Sequence, residues 1–413
     1  MSRPLLVIFL TIFVNLVGFG IIIPLLPFYA STFGASPFVV GLLFASFSLA
    51  QLIASPLLGE LSDRWGRRPV LILSLIGTAV SFAMLAVAQS LAMLFAARIV
   101  DGLSGGNITT ARAYIADITE EENRAKAYGV LGAAFGLGFI VGPALGALFS
   151  HISYTAPIWA AAAITVAATV MAWVWLPETV HRAHAGGGAP WHAVRELSHR
   201  PGLRLLLAID FIYWMSFAVY QTTFALFGAH RFGFDATHTG YLLSAFGALG
   251  VIVQGGLVGP IVRSIGNRPT LVLGLLCTGA GWFGSALTYS VPVFVAMLVP
   301  AAFGIGLCNA TLIALVSNAA SRREQGRVQG AAGALESLGR TLGPVWGNAI
   351  LQRIGEGAAY GAAAGLLLVA AGMAGRYNPP AREPREDPGE GIPGVSGLPR
   401  APFPGEPPAP PSA

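Results

Sequence analysis

Apolar runs separated by short polar turns fill most of the chain. They predict twelve helices, at residues 4–29, 38–58, 69–88, 91–114, 126–149, 155–176, 204–228, 238–262, 269–288, 292–317, 327–352 and 357–375. Each run approaches or exceeds the roughly 20 residues a helix needs to cross a bilayer. The expected fold class is an all-α membrane protein. The first run follows Arg3 and has the look of a secretory leader, but it continues past Pro27 with no small-residue cleavage site. A leader's apolar core is only about 7–15 residues, so this run is read as the first retained span.

The polar turns set the orientation. Arg64, Arg67, Arg68, Arg124, Lys126, Arg182, Arg195, Arg200, Arg263, Arg268, Arg322 and Arg323 fall in turns on one side, while the other side offers little beyond Arg231 and Arg353. Basic residues close to span ends stay in the cytoplasm, which places both termini there. The densest turn is Gly59–Leu71, GELSDRWGRRPVL, in which Gly66 permits a sharp turn and Pro69 suits the first turn of the next helix.

An internal repeat follows from the same turns. Gly66-Arg67-Arg68-Pro69 is answered by Gly266-Asn267-Arg268-Pro269 at an offset of 200, and Gly142-Pro143-x-x-Gly146 by Gly343-Pro344-x-x-Gly347 at 201. Gly129 likewise answers Gly330. Two motifs with one offset imply two six-helix halves in parallel repeat, an arrangement that binds solutes near the membrane midplane between the halves. The expected domains are an N-terminal half (1–176), a cytoplasmic linker (177–203), a C-terminal half (204–376) and a tail (377–413).

Composition closes off other classes. Hydrophobic residues make up 54% of the 413 positions and charged residues 10%, with a mean hydropathy of +0.68. A soluble core cannot hide so much apolar surface, so lipid must solvate much of it. The net charge of +5 reflects topology, and nucleic acid is not an expected partner. Cys277 and Cys308 lie in apolar runs and read as packing residues, with no disulfide framework. His181, His184, His192 and His199 in the linker could suggest a metal, but a plain linker, partly helical from Trp191, is the preferred reading. The Pro-, Gly- and acid-rich tail cannot bury enough surface to fold; docking of a partner to its prolines is the alternative. No cofactor is expected.

Several residues carry candidate chemistry. Pro24 and Pro27 in the first span leave backbone carbonyls unpaired and mark either a kink near a cavity or a structural bend. Arg98 and Asp101, three residues apart in span 4, share one helix face. Insertion of each charge costs roughly 2.5–3.5 kcal/mol, so they face the bundle interior, as a functional site or as a structural pair. Arg112 lies nearer the cytoplasmic end and reads as a snorkelling side chain. Gly138, Gly142, Pro143 and Gly146 form a small-residue stripe with a bend in span 5. Asp210, Tyr213, Phe217, Tyr220 and Phe224 align on one face of span 7, a stripe able to receive a flat or cationic solute or simply to pack. Glu336 and Arg340 sit at i, i+4 in span 11, as an exchangeable or a static pair; an apolar setting favours a carboxyl that loads and releases protons.

These motifs resemble the major facilitator superfamily. Gly59, Asp63, Arg64, Gly66, Arg67 and Arg68 fill every position of its loop between spans 2 and 3. Leu94-x-x-x-Arg98-x-x-Asp101-Gly102-x-x-Gly105 resembles its span-4 motif, and the span-5 stripe its antiporter motif, with Ala147 in place of the last glycine. The stretch Arg98–Gly146, including Ala113–Thr119, is similar to the tetracycline-resistance branch of its twelve-span drug:proton antiporters. The resemblance implies two pseudo-symmetric six-helix halves and monomeric, proton-coupled efflux of a small amphiphilic drug-like compound from a bacterial inner membrane. It further implies proton coupling through Arg98, and a loop that latches the cytoplasmic side through Asp63, Arg67 and Arg68. The second copy lacks the latch acid: Pro260 lies in the corresponding neighbourhood, leaving Arg263 and Arg268. The branch's membrane aspartates of spans 1 and 3 are replaced by Asn15 and Ser81, and span 9 holds no acid. Either coupling rests on Asp101, Asp210 or Glu336, or the substrate and mechanism differ from those of that branch. Uptake by symport or facilitated diffusion, and a non-transporting receptor, are the alternatives. No catalytic constellation, metal spacing or phosphate loop is present, so an enzyme is not expected.

Overall fold

In the computed structural model, residues 3–105, 107–119, 124–179, 190–197, 199–320 and 324–378 are described, and among them there is no strand. The N-terminal half contains α1 (Arg3–Ser31), α2 (Pro37–Trp65), α3 (Arg67–Ala86), α4 (Leu91–Ser104), α5 (Asn107–Ile118), α6 (Arg124–Ser150) and α7 (Ala156–Trp175). A short helix, α8 (Pro190–Leu197), leads to the second half. That half contains α9 (Pro201–Phe232), α10 (Ala236–Ile252), α11 (Val258–Ile265), α12 (Asn267–Leu287), α13 (Val291–Asn318), α14 (Gln325–Arg353) and α15 (Glu356–Arg376).

Among the described residues, ten helical segments are long and apolar enough to cross a membrane, with α10 and α11 counted as one. The two other predicted spans differ for local reasons. Span 4, expected as one run over 91–114, is divided: α4 ends at Gly105, whose N–H returns to the Gly102 carbonyl, and α5 resumes at Asn107. A glycine at position 105 makes this break cheap. Span 11 is the continuous helix α14, but it carries Gln325, Arg327, Gln329, Glu336 and Arg340 along its first half. Span 8 is bent by a π-helical turn at Val253–Leu257, where Gly255 and Gly256 leave the backbone ladder unsupported.

Side chains fix several ends. Ser36 and Ser90 accept the N–H groups of Val39 and Met93 at the starts of α2 and α4. Asp235 accepts the His238 N–H at 2.8 Å at the start of α10. Burial pushes the Asp235 carboxyl up, but the backbone and imidazole of His238 outweigh it and hold the group below its usual range.

Residues up to Asn378 form one compact unit. In the first half α1 packs on α6 and α7, α2 on α4, and α3 on α4 and α7. The second half repeats this, with α9 on α14 and α15, and α12 on α13 and α15. Two seams, α2–α14 and α6–α10, join the halves. Both are tight toward the end away from the arginine turns. The Phe38 N–H donates to Gln352 Oε1 at 2.9 Å, and the Ser150 and Thr237 hydroxyls lie 3.0 Å apart. A Cβ on Gly240 would stand 2.6 Å from the Pro143 carbonyl oxygen, and one on Gly41 would strike the Pro344 carbonyl oxygen. At the opposite end Gly59, Gly255, Gly256, Gly326, Gly330 and Gly333 have open space beside them. The contacts that join the halves are thus tightest at the end away from the arginine turns.

Candidate functional site

The predicted site residues gather in four places. The first is the α2–α3 turn. Gly66 takes φ +109°, and a Cβ there would strike the Glu178 carboxylate, so the turn requires glycine. Arg67, 8% exposed, pairs with Asp63 at 2.5 Å and Asp117 at 3.2 Å and donates to Ser62 Oγ at 2.7 Å. Its backbone N–H donates to Glu178 Oε1 at 2.9 Å. Arg68 donates to the Trp173 carbonyl at 2.5 Å, and Arg64 pairs with Glu60 in solvent. All these partners belong to α2, α5, α7 or the short segment that follows α7. In this conformation the loop ties together its own half, whereas the latch expectation places its partners in the other half. Gly59 has open space beside it.

The second place is the centre of the first half. Arg98 is fully buried and donates to Asp101 Oδ2 at 2.7 Å. Its guanidinium stands 4.2 Å from the Phe47 ring centroid, a cation–π contact from α2. Thr78 and Ser81 of α3 act on the Asp101 carboxyl, although neither hydroxyl meets hydrogen-bond geometry. Arg98 Nε and Nη2 also have no hydrogen-bond partner among the described residues. The pair is therefore held by one strong bond in an otherwise under-satisfied pocket. Asn15 is half-buried on α1, one turn before Phe19, whose ring meets Phe47 at 5.7 Å.

The third place is on α9 and α14. Asp210 is 3% exposed, with Oδ2 unpartnered. Glu336 and Arg340 are its electrostatic neighbours. Asp210 thereby joins Glu336 and Arg340 as a third ionisable group, from a helix that the i, i+4 spacing does not reveal. Arg340 lies 5.2 Å from the Trp214 ring centroid and 3.5 Å from Ser337 Oγ. Tyr213, also buried, donates to Asn309 Oδ1 of α13 at 2.8 Å.

The aromatic stripe of span 7 divides. Tyr213, Trp214 and Phe217 stack together beside Asp210, and Phe217 stays partly exposed. Tyr220 and Phe224, expected as cavity candidates, are buried among other aromatic side chains. Tyr220 stacks on Trp282 of α12 at 5.0 Å and touches Tyr360 of α15, while Phe224 packs on Phe294 of α13. A face that follows one side of a long helix meets different neighbours along its length, and here its later turns meet the outer helices.

The fourth place is the span-5 stripe, which packs α6 on α1. Cβ atoms on Gly138 and Gly142 would stand 2.5 Å from Leu16 Cβ and 2.8 Å from Gly20 Cα, and one on Gly146 would stand 3.3 Å from the Ile21 carbonyl oxygen. Pro143 turns its carbonyl toward Gly240 of α10, so one bend serves a seam within the half and a seam between halves.

Among the described residues no His/Cys/Asp/Glu group could hold a metal ion. His181, His184 and Arg182, Arg322 and Arg323, and all but the first two residues of the tail lie outside the described residues, as do the side chains of Arg112, Arg124, Lys126 and His192. Sequence reasoning missed Asp117, Glu178, Phe47, Thr78 and Asn309. Asp117 and Glu178 carried a signal, each being an acid near a span end. The other three carried none, because nothing local distinguishes them.

Comparison with known proteins agrees with this architecture. The family model described as Major Facilitator Superfamily matches residues 8–344, with a second match at 255–408. The chain is 35% identical to the tetracycline resistance protein, class G, of Vibrio anguillarum over 84% of this chain and 89% of that protein. It is 33% identical to the class C protein of Escherichia coli over 84% and 90%. Among solved structures, the human organic anion transporter MFSD10 (TETRAN) superposes with a TM-score of 0.71 at 25% identity, covering 90% of this chain and 99% of that one. With its two six-helix halves and its span 2–3 motif, the chain belongs to the major facilitator superfamily and is an integral, multi-pass membrane transporter.

Proposed function

We propose that the protein exports a small amphiphilic, drug-like compound in exchange for protons, by rocking of its two halves about a central site. The observation that carries this reading is the Asp210–Glu336–Arg340 cluster. With all three groups ionised, two acids and one base would carry one excess negative charge, which is costly in a bundle interior unless neutralised. A proton or a cationic amphiphile can supply that neutralisation, and the two compete. Competition for one charge is what obligatory exchange requires. The partly exposed Phe217 and Trp214 beside Asp210 offer aromatic surface for a flat or cationic body. Arg98 and Asp101 provide a second buried charge site in the other half, at which protonation would free the arginine.

The close contacts between the halves at the end away from the arginine turns fit one state of an alternating-access cycle, open on the arginine-bearing, cytoplasmic side. Export is the direction we propose, and the similarity to relatives named for tetracycline resistance supports it. Asn15 and Ser81 stand where acids are expected, so the compound class is proposed and tetracycline itself is not. The protein acts as a monomer in this reading, with both termini cytoplasmic in a bacterial inner membrane.

The test is proton movement in de-energised inside-out vesicles, challenged with a panel of amphiphilic amines and neutral amphiphiles. Wild type should show a solute-triggered pH change that Asp210→Asn and Glu336→Gln abolish. Solute flux without proton movement would replace exchange by facilitated diffusion. Proton movement surviving in both variants would move the coupling site to Asp101.

A further inference from the structure

Two grooves on the outer surface repeat each other almost residue for residue. One, of about 360 Å³, is lined by Arg68, Pro69, Ile72, Leu73, Ile76 and Trp173. The other, of about 370 Å³, is lined by Arg268, Pro269, Val272, Leu273, Leu276 and Gly375. Five of the positions correspond at the 200-residue offset of the internal repeat. They lie between α3 and α7 and between α12 and α15, helices that form neither of the seams between the halves. The first groove shares Arg68 with the α2–α3 turn, while the second shares no residue with the charged sites described above.

Each groove joins an apolar floor to a guanidinium at the first turn of its helix. Leu73, Ile76, Leu273 and Leu276 are exposed, on a surface that lipid must solvate. Arg68 donates to the Trp173 carbonyl and Arg268 to the Gly375 carbonyl, which fixes each side chain at the last turn of the neighbouring span. A guanidinium carries five N–H donors, so donors remain for a further acceptor. The repeat also separates this arginine from the latch. Arg67 becomes Asn267 and Asp63 becomes Arg263 in the second copy, yet the Arg-Pro pair and the apolar positions beyond it persist.

We propose that each groove holds one anionic glycerophospholipid of the leaflet at which the arginine turns emerge. The phosphodiester pairs with Arg68 or Arg268, and the first part of an acyl chain lies along the apolar floor. The charge argument selects this occupant: an exposed apolar groove alone accepts any lipid, but a fixed guanidinium at its mouth matches the planar, two-oxygen face of a phosphate, and interfacial basic residues favour anionic over zwitterionic headgroups. The trapped lipid would bridge span 3 to span 6 and span 9 to span 12, stiffening each half as a rigid body.

The full chain, purified in mild detergent and titrated with dioleoyl phosphatidylglycerol or dioleoyl phosphatidylcholine, tests this by native mass spectrometry. Wild type should retain two phosphatidylglycerol molecules at activation energies that strip phosphatidylcholine. Arg268→Gln should lose one of the two, and Arg268→Lys should keep both. Leu276→Trp, which fills the groove and leaves the arginine, should also lose one. Equal retention of the two lipids by wild type overturns the proposal without recourse to any variant. Unchanged retention in both Arg268→Gln and Leu276→Trp overturns it as well.

Discussion

Arg98 illustrates what a charge demands once it leaves water. It is fully buried, its single strong partner is Asp101 at 2.7 Å, and the Phe47 ring covers it from α2. Breaking such a pair strands the remaining charge, which costs about 3–5 kcal/mol in buried settings. Asp101→Asn should therefore lower the melting temperature of the purified protein markedly, because Arg98 then faces a neutral amide. A melting temperature equal to wild type would mean that Arg98 is satisfied by other groups. The pair itself was legible from its i, i+3 spacing and the price of charge in lipid. Phe47 and Thr78 were not, since they reach the pair from other helices and carry no charge to betray them.

At the scale of the element, the bent helices α6 and α14 do double service. Each packs glycines against a neighbour in its own half, Gly142 on α1 and Gly343 on α9, and each turns its proline carbonyl toward a glycine of the other half. Contacts of backbone on backbone cannot yield by a rotamer change, so even one added methyl group forces the helices apart. Overpacking of this kind costs about 1–3 kcal/mol. Gly240→Val should open the α6–α10 seam and bias the molecule away from the state seen here. Spin labels at Ile152 and His238, both exposed beyond the seam, should then report a longer separation. An unchanged or shorter distance would show that the seam does not depend on close approach. The Gly-Pro repeat was readable from its shared offset. Its partners Gly41 and Gly240 lay in no recognisable motif.

For the molecule as a whole, the seal between the halves is the feature that transport must undo. Phe38 and Gln352 meet across it, at the starting end of α2 and the finishing end of α14. A cysteine pair at these two positions, in a background where Cys277 and Cys308 are replaced by serine, should cross-link under mild oxidation and hold that end shut. Solute flux in vesicles should stop on oxidation and return with reductant. Flux that persists in fully cross-linked protein would rule out rocking of the halves about this end.

The sequence by itself determined the all-α membrane class, the two halves and the family. Span length, charge asymmetry and a fixed repeat offset are properties of the chain alone, and the physics of lipid permits few ways to satisfy them. It also marked most of the charged residues, because a charge in an apolar run is conspicuous wherever it points. Only the tertiary structure decided which of those charges meet. It brought Asp210 to Glu336 and Arg340 across more than a hundred residues, and turned Arg67 toward Asp117 and Glu178. It also sent Tyr220 and Phe224 into the core while leaving Phe217 partly exposed. Helical periodicity specifies the face a residue occupies, but the neighbour that covers that face is set by how separate helices pack.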